Sequence, residues 1–417
     1  MAQLGQVLGI DFGTSNSAAG YLCAGKPRLI EMATGQSTLP STFFFDFETR
    51  NTLIGEPANK ALLEGAEGRF MRALKRVLGT SLMHEKRQIL NERVTFVEII
   101  GRFLKEIKAR AEAKTGMVFD RALSGRPVVF HGVGDPREEQ AEADLRACYL
   151  AAGFTEVSFM PEPEAAAIAS GASEQAGEIG LIVDIGGGTS DFSLFRSRGS
   201  GVEILANHGV RIGGTDFDRA INIARVMPLL GKGTDLRKVI GPGASPVPNA
   251  LFNDLATWEK IPFLYTAQNR RMVQEMTRLA YEPTKLQRLA SVLRDELGHE
   301  LAFAVERGKI AANAGDDQSV IALDQVERNL SVALPAKAVD QILLPHAGML
   351  RDGARATLQM AGIDPRQVTR VVYVGGSSLM SMVSNTMRVE FPVARHVFSD
   401  VFTAVTDGLA IASARLG

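Results

Sequence analysis

The chain has 417 residues, of which 45% are hydrophobic and 22% charged, and its formal net charge is −1. This length predicts two domains or lobes, and the charge balance argues against a broad nucleic-acid-binding surface. Two cysteines cannot build a disulfide framework, and no apolar run approaches the roughly eighteen residues that a membrane span needs. Since no basic segment indicative of a signal peptide precedes the first apolar run, we expect a cytoplasmic protein without membrane or nucleic-acid partners.

The first part of the chain alternates short strands with helices. We predict strands at 7–11, 18–23, 28–32, 41–47 and 125–132, helices from Thr95 and over 136–152, and a strand that meets a helix at 161–163. The helix from Thr95 is predicted because its apolar residues recur at i, i+3, i+4 and i+7.

The pattern restarts at Gly177. We predict strands at 179–184, 191–196 and 202–206, a helix at 217–230, a mobile Gly/Pro-rich surface excursion at 231–250, and several helices to about 312. Strands near 319–323 and 330–334, a long helix, a strand at 371–374 and a final helix from Phe402 complete the order.

An internal repeat is the most informative feature of the chain. The stretches "GIDFGTSNSAAG" and "VDIGGGTSDFSL" each place an aspartate at a strand end, then a Gly/Thr/Ser turn, then an apolar strand. Their aspartates, Asp11 and Asp184, are 173 residues apart, which is far too long for a solenoid repeat and suits a duplicated domain. We therefore expect two lobes whose matching turns face each other across a cleft.

These turns have the composition of phosphate-binding loops. Backbone N–H groups in a Gly-rich turn form an anion-binding concavity, and the hydroxyls of Thr14, Ser15, Thr189 and Ser190 can add hydrogen bonds. An aspartate beside phosphate requires an intervening cation, and Mg²⁺ commonly uses one or two carboxylates together with phosphates and waters. The plainer interpretation, a simple hairpin turn at each place, is disfavoured because the pattern occurs twice.

The motifs together resemble a known family. "IDFGTSNS", "VDIGGGTSDFSLF" and "VVYVGGSSLM" resemble the phosphate 1, phosphate 2 and adenosine motifs of the actin/sugar-kinase/DnaK ATPase superfamily. "PEPEAAAIASG" and "RIGGTDFDRAI" resemble more particularly the DnaK-type chaperones, the seventy-kilodalton heat-shock family. The resemblance covers nearly the whole chain, which ends at Gly417 without a linker and peptide-binding domain, so we expect the short DnaK-like branch that consists of the ATPase domain alone.

The resemblance implies an α/β, two-lobed actin-like ATPase fold with duplicated ribonuclease-H-like domains and a nucleotide cleft between them. Lobe I is expected at 1–177 and lobe II at 178–397, with an insert at about 231–300 and a C-terminal helix at 398–417 that returns to lobe I.

The resemblance also implies the site residues and their ligands, ATP or ADP with Mg²⁺. Asp11, Glu162 and Asp184 would hold the metal through water. Asp191 and Thr189 would contact the attacking water, and Lys75 of "ALKRVLG" would contact the γ-phosphate. The nucleotide contacts would be Gly13, Thr14, Ser15, Gly186, Gly187, Gly188, Thr189, Gly213, Gly214, Glu306, Lys309, Ile310, Gly375, Gly376, Ser377 and Leu379.

Two positions depart from the family pattern. Ile310 and Leu379 stand where the family usually has arginines that sandwich adenine. Apolar side chains still cover a base, but they lose a cation–π contribution of about 0.5–2 kcal/mol per contact. We expect weaker or less base-selective nucleotide binding.

Three functions are compatible with these motifs. The first is a DnaK-like, slow Mg-ATPase with a chaperone-like role, whose unknown protein partner is a co-chaperone or an exchange factor at lobe II. The second is a small-molecule kinase of the same superfamily, and the third is an actin-like scaffold that binds nucleotide without hydrolysing it.

Overall fold

The computed structural model describes residues 6–131, 134–171, 176–198, 201–238, 240–398 and 403–416. The chain divides into two compact units. The first consists of Met1–Arg211, Arg351–Leu379 and Met387–Gly417, and the second of Ile212–Leu350 and Met380–Thr386. The predicted boundary between lobes at 177/178 separates the two copies of the repeat and stays a prediction.

The described residues form strands of three to nine residues. They are β1 (Val7–Asp11), β2 (Asn16–Cys23), β3 (Lys26–Leu29), β4 (Thr38–Pro40), β5 (Thr42–Asp46), β6 (Thr52–Ile54), β7 (Gly68–Arg72), β8 (Arg87–Ile89), β9 (Glu92–Val94), β10 (Arg121–Arg126), β11 (Glu156–Pro161), β12 (Ile179–Ile185), β13 (Ser190–Ser197), β14 (Val202–Val210), β15 (Asp235–Arg237), β16 (Ala244–Pro246), β17 (Val320–Ala322), β18 (Ser331–Ala333), β19 (Arg370–Val374) and β20 (Arg395–Phe398).

The α-helices of the described residues range from one and a half to seven turns. They are α1 (Glu56–Leu63), α2 (Phe96–Thr115), α3 (Arg137–Ala151), α4 (Glu162–Ala169), α5 (Gly214–Ile221), α6 (Ala250–Leu255), α7 (Ala267–Leu279), α8 (Pro283–Arg294), α9 (Gly298–Asn313), α10 (Ala336–Ala361), α11 (Ser381–Glu390) and α12 (Ala404–Ala412). None of the helices in these ranges combines the length and apolar character that crossing a bilayer requires.

Two sheets of the first unit repeat one topology. The order is β11-β10-β1-β2-β3 in one sheet, with β4 also pairing with β2, and β14-β13-β12-β19-β20 in the other. In each sheet a central strand is antiparallel to the next strand of its meander, as in β1–β2 and β12–β13. On its other side the same strand is parallel to a strand from later in the chain, β10 or β19. The equivalent strands β1 and β12 therefore deliver Asp11 and Asp184 to equivalent sheet positions.

Helix α2 shows how the sequence pattern builds the core of the first sheet. Thr95 caps the helix through a capping box with Glu98, as its position before the apolar repeat predicts. The buried face includes Phe103, whose ring centroid lies 5.8 Å from that of Phe12 and 5.6 Å from that of Phe43. The helix thus packs against Phe12, which follows β1 at the start of the first Gly/Thr/Ser turn.

Helix α12 packs tightly on the first sheet and on α4. A Cβ built on Gly9 of β1 would lie 3.1 Å from the Cβ of Leu409. A Cβ built on Gly408 would lie 1.8 Å from the carbonyl oxygen of Ala165. Such distances require a glycine, so α12 and α4 touch backbone to backbone.

Some predicted elements need correction. The strand predicted at 125–132 is β10, Arg121–Arg126, and the described residues after it are not in a strand because Pro127 cannot donate to a ladder. Gly132 lies outside the described residues.

The predicted excursion at 231–250 contains the hairpin β15–β16, whose flanking side chains Leu236 and Val247 are buried. Val239 lies outside the described residues. The helix predicted at 217–230 is α-helical only to Ile221 and continues as π and 3₁₀ turns, the latter carrying Pro228. The predicted helix start, Phe402, is also outside the described residues, and α12 begins at Ala404.

Candidate functional site

Partly buried carboxylates of the first unit gather around one lysine. Asp11 ends β1, Asp184 and Asp191 face each other across the β12–β13 ladder, and Glu162 is the first residue of α4. The Lys75 ammonium donates to Glu162 Oε1 over 2.6 Å, and both side chains are more than four-fifths buried. Lys75 also exerts electrostatic effects on Asp11, Asp184 and Asp191. The predicted metal and catalytic residues are thus brought together by four separate segments.

Burial and mutual repulsion raise the pKa values of three of these carboxyls, Asp11, Asp184 and Asp191. Burial, followed by the charge of Glu162, raises the pKa of Asp11 to about 7. The same two causes raise the pKa of Asp191 to about 6, while a hydrogen bond with the Thr189 side chain lowers it. Burial and the charges of Glu162 and Asp191 raise the pKa of Asp184 well above its usual value.

The lysine is kept charged by the same cluster. Burial alone would lower the pKa of Lys75, but the charges of Glu162 and Asp11 and the hydrogen bond to Glu162 raise it. Lys75 lies in the short 3₁₀ helix Leu74–Val77, directly after Ala73, whose φ is 59°. A non-glycine residue with positive φ next to a buried charge indicates a constrained segment.

The first Gly/Thr/Ser turn is tightly braced. A Cβ on Gly13 would lie 2.1 Å from the carbonyl oxygen of Asn16, so the turn requires glycine here. Ser41 Oγ donates to the Gly13 carbonyl over 2.8 Å, and the Gly13 N–H donates to Ser17 Oγ over 3.2 Å. Thr14 and Ser15, which are predicted to contact phosphate, directly follow this hydrogen-bonded glycine and are half-buried.

The second turn lies against the first. A Cβ on Gly187 would come 2.8 Å from Ser15 Oγ, and a Cβ on Gly188 would come 1.7 Å from Arg76 Nη2. The Gly186 N–H donates to the Thr189 carbonyl over 3.0 Å, which closes the turn. The two predicted phosphate loops are therefore neighbours within the first unit, and side chains at Gly187 or Gly188 would fill the space between them.

Arg76 is a residue that the sequence interpretation did not assign to the site. Its guanidinium lies against the Gly188 backbone, beside the segment that carries Lys75. The adjacent Lys-Arg pair in "ALKRVLG" indicates Arg76 as well as Lys75, but the sequence analysis assigns only Lys75 to the γ-phosphate.

The third glycine motif adjoins Asp184. Gly375 has a φ of 77°, and a Cβ there would lie 2.5 Å from the Ile185 carbonyl oxygen and 2.7 Å from Asp184 Oδ1. The short 3₁₀ helix Gly376–Leu379 follows and carries Ser377, which is half-buried, and Leu379, which is 42% exposed. This motif thus stands beside the carboxylate cluster, as a phosphate-proximal loop would.

The remaining predicted contacts belong to the second unit. Gly213 and Gly214 are buried at the start of α5, where the Gly213 N–H donates to Asp216 Oδ2 over 2.9 Å. On α9, Ile310 is 59% exposed, and Glu306 is also exposed.

Lys309 differs from its α9 neighbours Glu306 and Ile310. It is only 6% exposed, and its Nζ lies 2.8 Å from Asp218 Oδ1. Its predicted contact with the nucleotide stays a prediction.

The donor set of the first unit suits a hydrated hard cation. Asp11, Glu162, Asp184 and Asp191 offer carboxylate oxygens, which Mg²⁺ prefers, and Lys75 alone is too little charge to neutralise them. No group of three or more His, Cys, Asp or Glu residues in the described ranges could hold a metal ion by direct ligation. That Asp11, Glu162 and Asp184 hold Mg²⁺ through water stays a prediction.

Comparisons with known proteins agree with these motifs. The family model described as "Hsp70 protein" matches residues 7–228. The chain is similar to the chaperone protein DnaK of Methanothermobacter thermautotrophicus, with 31% identity over 68% of this chain and 48% of that protein. It is also similar to the DnaK proteins of Nitrosopumilus maritimus (32% identity, 52% of this chain, 33% of that protein) and Thermoplasma volcanium (34%, 52% and 35%). The chain thus spans a third to about half the length of these relatives.

Proposed function

Since the chain belongs to the Hsp70 family and has the family's actin-like ATPase fold, we propose that it binds Mg-ATP and hydrolyses it slowly to ADP and phosphate. The observation that carries the proposal is the gathering of four partly buried carboxyls around the Lys75 ammonium, beside three glycine turns. The family binds ATP and ADP, typically with Mg²⁺.

The proposed roles follow from charge and position. Bound Mg²⁺ would neutralise phosphate charge and orient the outer phosphates for in-line attack. Asp11, Glu162 and Asp184 would hold its water shell, and the N–H groups of the turns at Gly13 and Gly186 would contact phosphate oxygens.

Lys75 and Asp191 would act on the reacting groups. The Lys75 ammonium would donate to the γ-phosphoryl oxygens as their charge changes. The pKa of Asp191, raised to about 6, leaves it ionised at neutral pH yet basic enough to accept a hydrogen bond or proton from the attacking water, with Thr189 orienting it.

The proposed contacts with the rest of the nucleotide use the other predicted residues. Gly375, Gly376 and Ser377 would contact the α-phosphate side, and Gly213, Gly214, Glu306 and Lys309 the sugar. Lys309 would have to share its ion pair with Asp218. Ile310 and Leu379 would cover the base by apolar contact.

The proposed biological role is chaperone-like. Nucleotide state would control engagement of a protein partner, such as a co-chaperone or exchange factor, in the cytoplasm. The similar proteins are each named chaperone protein DnaK, and we extend that role to this chain.

Phosphate release from Mg-ATP tests the proposal. The purified chain is mixed with Mg-ATP and no other substrate, and Lys75→Ala and Asp184→Asn are measured in parallel. Lys114→Ala, an exposed lysine on α2 that pairs with Glu31, is the matched control. We expect slow release by the wild type and the control, and a loss of about 10²–10³-fold in Lys75→Ala.

Each alternative has its own outcome. ATP binding without release would favour a scaffold, and release or transfer only with an added hydroxyl acceptor would favour a kinase. Equal release by Lys75→Ala and the wild type would contradict the assignment of Lys75.

A further inference from the structure

We infer that Asp144, a buried aspartate of α3, is a positioning residue for Lys75. The inference rests on the proposed function, because it concerns how the proposed γ-phosphate ligand is held. Asp144 lies on a different element from the carboxylates around Lys75 and contacts the segment that follows the lysine. Its side chain is 1% exposed.

Both oxygens of the Asp144 carboxylate accept hydrogen bonds, from a backbone N–H, a histidine ring and a glutamine amide. The Gly79 N–H donates to Asp144 Oδ2 over 2.9 Å. His84 Nε2 and Gln140 Nε2 donate to Oδ1 over 2.9 and 2.7 Å. Two of these donors, Gly79 and His84, belong to the segment 74–84, so one side chain fastens both the middle and the end of that segment to α3.

The segment has no freedom at the Gly79 contact. Gly79 has a φ of 76°, and a Cβ there would lie 2.7 Å from the Arg137 carbonyl oxygen and 3.1 Å from the Ala141 Cβ, both on α3. The preceding residue, Leu78, accepts a hydrogen bond from His131 Nε2 over 2.7 Å. The backbone directly after the Lys75 turn is therefore held by α3 at Gly79 and by His131, which precedes α3, at Leu78.

Backbone hydrogen bonds connect this docked segment to the turn that carries Lys75. The Leu78 N–H donates to the Lys75 carbonyl over 3.4 Å, and the Arg76 N–H donates to the Ala73 carbonyl over 3.1 Å. Ala73, two residues before the lysine, holds a left-handed backbone at the start of the 3₁₀ helix. The turn that presents Lys75 is thus a constrained piece whose C-terminal anchor is Asp144.

Burying a carboxylate costs free energy that a purely structural contact need not incur. A lysine that stabilises charge in a transition state must be placed closely, and a displacement of about 1 Å can cost about 10²-fold in rate. Fixing the Lys75 turn is the use of Asp144 that this geometry supports.

The first test reads the position of Lys75 without nucleotide. Labelling of Lys75 by an amine-reactive reagent is quantified by mass spectrometry in the wild type, Asp144→Ala and Asp144→Asn. Glu142→Ala removes another α3 carboxylate, one paired with Arg126, and serves as the control. We expect several-fold faster Lys75 labelling in Asp144→Ala, a smaller increase in Asp144→Asn, and none in Glu142→Ala; unchanged labelling in both Asp144 variants would overturn the inference.

The second test couples Asp144 to the proposed chemistry. Single-turnover phosphate release and ADP affinity are measured for Asp144→Ala, Asp144→Asn, Lys75→Ala and the double variant Lys75→Ala/Asp144→Ala. We expect Asp144→Ala to lower the release rate about 10- to 100-fold with ADP affinity changed less than about threefold. In the Lys75→Ala background the same substitution should cause no further loss.

The outcomes separate the two ideas. An equal loss from Asp144→Ala in both backgrounds would show a general structural role and overturn the inference. If the wild type releases no phosphate, the proposed ATPase fails, and the labelling experiment alone then decides whether Asp144 positions Lys75.

Discussion

At the residue scale, the surroundings of the carboxylates near Lys75 disfavour their charged forms. Asp11 is partly buried near Glu162, and both the loss of solvent and the charge of Glu162 favour its neutral form. Lys75 opposes this but does not cancel it. A protein with such a cluster gives up stability for a site that a divalent cation and phosphates would complete.

The raised pKa of Asp11 predicts a pH-dependent stability of the metal-free chain. Its pKa is about 7 folded and near 3.8 unfolded. Between about pH 4 and pH 7 the folded state therefore binds more protons than the unfolded state, and stability falls as pH rises. The contribution of Asp11 is at most about 4 kcal/mol between the two ends of this range.

Urea unfolding in EDTA at pH 5 and pH 8 measures this effect. We expect Asp11→Asn to reduce the loss of stability between the two pH values, whereas Glu48→Gln, an exposed loop carboxylate, leaves it unchanged. An identical pH dependence in Asp11→Asn and the wild type would contradict the prediction.

The residues at the proposed base site predict weak base selection. Ile310 and Leu379 are 59% and 42% exposed, so each offers apolar surface but no cation. We expect ADP and GDP affinities within about tenfold of each other. Ile310→Arg and Leu379→Arg should each raise adenine-nucleotide affinity by about 2- to 30-fold through cation–π contact.

Isothermal titration with ADP and GDP measures base selection. Met360→Arg on α10, which replaces another exposed apolar residue, is the control and should change neither affinity. Strong adenine preference in the wild type, unaltered by either arginine, would remove both residues from the base site.

At the element scale, the close approach of α12 to α4 makes Gly408 irreplaceable. Gly408→Ala would put a Cβ 1.8 Å from the Ala165 carbonyl oxygen, and backbone cannot move aside as a flexible side chain can. We expect a loss of about 2–3 kcal/mol in the free energy of unfolding. Gly348→Ala in α10 meets no atom within 4 Å and should stabilise by about 0.5–1 kcal/mol.

Chemical denaturation of the two variants measures whether the free energy of unfolding falls in Gly408→Ala and rises in Gly348→Ala. The pair is matched because the substitution is the same and both glycines are inside helices. Equal effects would mean that helix propensity, rather than the α4–α12 contact, governs Gly408.

The elements that carry the repeat could be predicted because their signals are local. β1 has both predicted ends, and the strand–helix junction lies at Pro161 and Glu162 as expected, since apolar runs there stop at polar or proline residues. The family and its fold, inferred from the same motifs, are confirmed. The three-residue strands β4, β6, β8 and β9 were not predicted, because three residues are too few to show an alternating pattern. The strands β7 and β20 were not predicted either.

Parts of the site that depend on distant pairings could not be predicted. The Gly79–Asp144 contact joins residues 65 apart in the sequence, and the Lys309–Asp218 pair joins two separate helices. Neither leaves a local pattern. The sequence therefore predicts which residues would contact phosphate and metal, but not which side chains hold those residues in place.

At the scale of the whole molecule, the residues assigned to the nucleotide belong to both compact units. Those proposed for metal and phosphates lie in the first unit, and Gly213, Gly214, Glu306, Lys309 and Ile310 lie in the second. If all of them contact one nucleotide, binding must stabilise both units. If only the phosphates are bound, the second unit gains nothing.

Hydrogen exchange with and without Mg-ADP distinguishes these cases. A ligand at about 100 times its Kd stabilises the protein that binds it by about 2.7 kcal/mol. We expect slower exchange both at the turns of Gly13 and Gly186 and on α9, because a nucleotide that spans the predicted contacts opposes opening of either unit. Lys309→Ala should abolish the protection of α9 while preserving that of the turns, with Lys285→Ala, a lysine elsewhere in the second unit, as control. Protection confined to the first unit, or produced equally by pyrophosphate with Mg²⁺, would mean that the chain binds phosphates alone and that the α9 assignments are wrong.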